Sequence, residues 1–170
     1  MKTKPAKALK ATRPASPLRL SIRSILVPID FSSPSRKTLD HALALAAKFG
    51  AKLTLMHVVE PVATADFAGA FPLAVENDVR MAASKRELAG LVKTAGIPRG
   101  RLGGIVVRCG RSFYEIVDVA RLRKMDLIVI ATHGYTGWKH ALLGSTTERV
   151  VRHASCPVLV VRDQGAPVAH

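Results

Sequence analysis

The sequence predicts an α/β fold: a doubly wound sheet of five parallel strands with helices on both faces. Three observations point to it. Short apolar runs alternate with segments whose apolar residues recur at helical spacing. The runs are continuous, as in Ile25-Leu-Val27 and Leu127-Ile-Val-Ile130, which is what strands covered on both faces require. Serine, proline and glycine stand where the helical segments begin and end.

The first strand is expected over Ser24–Asp30, a short apolar run closed by an acid. Ser33-Pro34 then opens a helix, with the serine as cap and the proline at the first helical position. Leu39, Ala42, Leu43, Ala46 and Ala47 form its apolar face and Gly50 ends it. A second strand spans Leu53–Val59, and the Ala/Gly/Phe-rich stretch Val62–Phe71 reads as a loop. A helix follows over about residues 73–93, then a third strand over Gly104–Cys109. Ser112-Phe-Tyr-Glu115 has the spacing of a capping box and starts a helix with Ile116, Val117 and Ala120 inward. The fourth strand is Asp126–Ala131. A second capping box, Ser145-Thr-Thr-Glu148, opens a helix through His153, and the last strand is Pro157–Val161. No internal repeat or second domain is visible. The expected organisation is a disordered basic leader over 1–22, one domain over 23–163 and a tail over 164–170.

Composition narrows the function. With 170 residues, 48% hydrophobic and 22% charged, the chain can bury a core of its own. No apolar run approaches the roughly 20 residues that cross a bilayer, and no secretory signal is apparent, so the expected location is the cytoplasm. Cys109 and Cys156 are far apart and form no CxxC pair, so they are expected to be buried hydrophobes rather than metal ligands or a redox pair. The formal net charge is +14, but half of that excess lies within residues 1–23, which carry Lys2, Lys4, Lys7, Lys10, Arg13, Arg19 and Arg23 and no acid. Such an arm touches polyanions without specificity at most, and no aromatic residues interleave with the charges to read single-stranded bases.

Open parallel sheets hold ligands at the carboxyl ends of their strands. Two places stand out there: Asp30, and the segment from Ala131 to Ser145. Gly144-Ser145-Thr146 offers glycine, helix-start N–H groups and hydroxyls, the elements of a phosphate cradle. A serine capping its own helix reads the same way. Asp30 fits either a cap on the Ser32–Pro34 turn or a holder of ribose, water or magnesium. The chain has neither GxxxxGK[ST] nor GxGxxG after the first strand, which excludes Walker-type and ordinary dinucleotide sites. His133 and His140 have no acid or nucleophile fixed beside them, so no catalytic apparatus is expected.

Several stretches in order resemble the universal stress protein family. They are Ile25-Leu-Val-Pro-Ile-Asp-Phe-Ser32, Leu55-Met-His-Val58, Gly134 followed by nine residues and Gly144-Ser145, and Glu148–Val161. The resemblance spans about Ser24–Arg162. It implies a Rossmann-like sheet in the order 3-2-1-4-5, which sets Asp30 and the Ala131–Ser145 loop on one crevice. In ATP-binding members, positions matching Pro28 and Asp30 line the nucleotide, and that matching Val58 contacts adenine. Positions matching Ile130, Ala131, Gly134, Gly144, Ser145 and Thr146 hold ribose and phosphates. The implied protein is an ATP-binding regulator of stress responses with little or no catalysis, taking ATP with Mg2+. It forms a homodimer through Pro157–Val161; the alternative is a dimeric interaction module of the same fold without nucleotide. The family pattern's first glycine is Ala131 here. Alanine avoids positive φ but costs little within a strand.

Overall fold

The computed structural model describes residues 21–61, 70–132 and 143–162, and of 70–75 the backbone only. Strand β1 (Ser24–Pro28) leads into helix α1 (Ser33–Phe49), then β2 (Lys52–Val59) and α2 (Ala70–Thr94). A 3-10 turn at Arg99–Arg101 precedes β3 (Leu102–Cys109) and α3 (Ser112–Leu122). Strand β4 (Leu127–Ala131), α4 (Ser145–His153) and β5 (Val158–Val161) complete the order. The strands form one parallel sheet in the order β3-β2-β1-β4-β5.

Period-two geometry explains the continuous apolar runs. Ile25 and Val27 of β1 point to one face with Leu127 and Val129 of β4, against Leu39, Ala42 and Ala46 of α1 and Leu88 of α2. Leu26, Ile128 and Ile130 point to the other, against Ile116, Val119 and Ala120 of α3 and Val150 of α4. All five residues of β4 are buried, so no position in that strand tolerates a polar side chain without a partner.

Several boundaries differ from the expectations, each for a local reason. The cap of α1 is Ser32, not Ser33: its hydroxyl accepts from the Ser35 N–H at 3.3 Å, while Pro34 stays in the first turn. Gly50 does end α1, with φ 72 and its N–H on the Ala46 carbonyl. Ala47 is exposed, whereas Thr38 and Ser35 take buried positions on the inner face. Helix α2 begins at Ala70 and includes Phe71; the rest of the expected loop, 62–69, lies outside the described residues. Neither capping box forms. Arg111 caps α3 and Gly144 caps α4, both without a side-chain bond. Strand β1 stops two residues before Asp30, β3 begins two residues earlier than expected, and β4 and β5 each begin one residue later. Cys109 and Cys156 are half-buried rather than buried. Burial, and then the charge of Asp126, push the Cys156 thiol up from its ordinary value.

Asp126 fastens β4 to β1 at their amino ends. Its Oδ2 accepts from the N–H groups of Arg23 and Ser24 and from the Ser24 hydroxyl, each at 2.9 Å. The Arg23 N–H is the main reason its carboxyl sits below the usual range; partial burial opposes, and the Ser24 hydroxyl and N–H add to the lowering. A carboxyl lowered on folding contributes stability above its unfolded pKa and loses it as pH falls through the folded value. Asp126→Asn is therefore expected to lower unfolding stability at pH 7 by about 1 kcal/mol, a modest figure because the site is screened by solvent. In urea titrations the gap to the parent should close as pH drops below the ordinary aspartate range. A gap that stays constant with pH contradicts this role.

Candidate nucleotide-binding crevice

The carboxyl ends of β1 and β4 lie side by side, and the chain leaves them in different ways. After Pro28, Ile29 donates its N–H to the Met56 carbonyl at 2.7 Å, prolonging the contact with β2. Asp30 then turns back: its Oδ1 accepts from the Ser32 N–H at 3.1 Å and from the Ser32 hydroxyl. Between them Phe31 takes φ 64, a left-handed conformation uncommon for a bulky residue. Its ring rests on that of His57 with centroids 4.6 Å apart. His57 Nδ1 lies 2.7 Å from the Ile29 carbonyl; because a carbonyl only accepts, Nδ1 carries the proton. The turn is thus held by its own aspartate and by a histidine from β2.

The other wall is made by α4. The Gly144 N–H donates to the Thr132 carbonyl at 2.8 Å, and the Thr147 hydroxyl donates to the Ala131 carbonyl at 2.8 Å. These two bonds set the first turn of α4 on the end of β4. Ala131 stays in the strand, paired with Val161, and only Phe31 and Lys124 among described non-glycine residues have positive φ. Its methyl group therefore imposes no backbone strain.

Between these walls lies a cavity of about 400 Å3, within the size range of small-molecule sites. Pro28 lines it from the end of β1 and Asp30 from the turn after it, Val58 from β2, Ile130 and Ala131 from β4, and the cap Gly144 with Ser145 and Thr146 from the start of α4. Eight of the nine residues singled out in the sequence are thereby brought together; Gly134 lies outside the described residues, as do His133 and His140. Sequence reasoning missed His57, Glu60, Ser112 and Thr147, which also line the cavity. Glu60 Oε1 accepts from the N–H (3.1 Å) and hydroxyl (2.7 Å) of Ser112, which removes Ser112 from the capping role expected of it. These partners are 52 residues apart in sequence, so no local pattern signals them. Met56, Val58 and Ile130 give the cavity an apolar side suited to a base, while the α4 start presents N–H groups and hydroxyls suited to phosphate. Asp30 and Glu60 are the carboxylates on its lining, the donor type that magnesium takes beside phosphates. Among the described residues no group of three or more His, Cys, Asp or Glu side chains forms a metal cage.

A family model described as the universal stress protein family matches residues 21–162. Universal stress protein MJ0531 of Methanocaldococcus jannaschii is 34% identical over 142 residues, 82% of each chain. The structure of UspA from Lactobacillus plantarum superposes with a TM-score of 0.73 at 28% identity, covering 82% of this chain and 97% of that one. A universal stress protein solved in complex with cAMP shares the fold, with a TM-score of 0.57 at 24% identity over 84% of this chain and 98% of that one.

Replacing Thr147 by valine keeps its shape and strands a buried carbonyl. Thr147→Val should lower stability by about 1–2 kcal/mol in denaturant unfolding. Thr147→Ser, which keeps the donor, should cost less. Equal losses for the two would show that the hydroxyl does not tie α4 to β4.

Proposed function

The chain belongs to the universal stress protein family, and from that premise we propose that it is a cytoplasmic, dimeric stress-response regulator that binds an adenine nucleotide, ATP with Mg2+, with little or no catalysis. One observation carries this reading. The crevice joins an apolar wall at Val58 and Ile130 to the amino end of α4 at Gly144-Ser145-Thr146, in a cavity of nucleotide size. Adenine lies against Val58, and Pro28 and Asp30 line the nucleotide. Ile130 and Ala131 bound the ribose, and Gly144, Ser145 and Thr146 meet the phosphates. Asp30 and Glu60, the carboxylates on the cavity lining, would hold a magnesium ion whose charge would offset that of the ATP phosphates.

The dimer reading rests on β5. It pairs with β4 on one side only, and Leu159 is 40% exposed and Val151 of α4 48% exposed. An apolar edge strand is a surface that a second copy covers. Sedimentation showing a monomer at micromolar concentration removes this element. Among the described residues no helix is long and apolar enough to cross a membrane. Of the basic leader expected over 1–22, open to non-specific polyanion contact, residues 1–20 lie outside the described residues.

Calorimetry with ATP, ADP, AMP and cyclic AMP tests the nucleotide reading. Binding of at least one nucleotide in the micromolar range is expected. Gly144→Val, which puts a branched side chain on the cavity lining, should weaken it by tenfold or more while circular dichroism stays unchanged. Absence of heat and of thermal shift with all four nucleotides would leave the dimeric interaction module as the better reading.

A further inference from the structure

The crevice does not end at Glu60 and Ser112. Past this hydrogen-bonded pair lies a second cavity of about 230 Å3, which shares Glu60, Ser112, Ser145 and Thr146 with the first. Its remaining lining is Arg111, Phe113 and Arg149. Arg149 is held in place by the Phe113 ring, its guanidinium carbon 5.0 Å from the ring centroid. Neither Arg111 nor Arg149 has a carboxylate partner among the described residues, whereas Arg121 and Arg152 on the same two helices do. Arg111 also caps the amino end of α3, where a positive charge opposes the helix dipole; Arg149 stands at the middle of α4. The one carboxylate on the lining, Glu60, already accepts two hydrogen bonds from Ser112 at Oε1.

We propose that this second cavity is an anion subsite, and that it makes the chain selective for nucleoside polyphosphates over nucleoside monophosphates and cyclic monophosphates. The inference rests on the nucleotide reading of the first cavity and adds the ligand class. With base and ribose in the first cavity, the phosphate chain crosses the start of α4 at Ser145 and Thr146, which line both spaces. Its terminal phosphoryl group meets Arg111 and Arg149, whose guanidinium groups match phosphate oxygens in planar pairs. A monophosphate reaches only the first cavity.

The test is calorimetry of ATP, ADP and AMP with the parent protein, Arg111→Ala/Arg149→Ala and Arg111→Lys/Arg149→Lys. The parent should bind ATP at least about tenfold more tightly than AMP, the scale of one charge-assisted contact. The alanine pair should bind AMP within about twofold of the parent and lose the preference for ATP. The lysine pair should recover part of it, since charge is kept and the fork is lost. Equal parental affinities for ATP and AMP, or an ATP preference that survives in the alanine pair, overturn the subsite and leave the nucleotide reading standing. No binding of any nucleotide by the parent overturns both.

Discussion

The crevice depends on how α4 is fastened to β4. The Thr147 hydroxyl on the Ala131 carbonyl and the Gly144 N–H on the Thr132 carbonyl join the end of β4 to the start of α4. Thr147 is buried, so its bond forms away from competing water and its loss leaves a carbonyl without a partner. Without these bonds the amino end of α4 loses its direct tie to β4, and the packing of Val150 in the core would be left to hold the helix. With them, backbone donors from one element face side chains from two strands across one space. The sheet order supplies the rest, because β1 and β4 are neighbours although about a hundred residues separate them.

The opposite wall relies on a different device. Asp30 closes its own turn onto Ser32, and His57 reaches across from β2 to the Ile29 carbonyl. Phe31 is held in a left-handed conformation between them, with its ring against His57. Local strain of this kind persists only where surrounding contacts over-determine it, and such places cluster at binding sites. Asp30 thus serves the turn and lines the cavity at once, so the two roles that its sequence position leaves open are not exclusive.

The layer architecture was legible in the sequence because burial on both faces writes itself as unbroken apolar runs, of which Leu127–Ile130 is the clearest. The strand order came from resemblance to a family, not from periodicity, and the sheet has that order. Helix caps were less legible. Serines crowd Ser32-Ser33 and Ser145 follows Gly144, and adjacent short polar residues compete for one cap on equal local terms. Tertiary partners decided the matter at Ser112, which Glu60 engages from another strand's end. In the site, glycines and hydroxyls at a helix start were readable as a local motif, whereas Thr147, His57 and Glu60 act through contacts between segments far apart in sequence. Ala131 illustrates the limit of a motif. The cost of its departure from glycine depends on backbone conformation, and Ala131 lies in extended strand without positive φ.

Diffraction from crystals grown with ATP and magnesium tests the central claim most directly. The account predicts adenine against Val58, with phosphates on the backbone N–H groups of Gly144, Ser145 and Thr146 and the Ala131 backbone unmoved in β4. Nucleotide density elsewhere on the molecule, or entry into the crevice only after Ala131 leaves the strand, would contradict it.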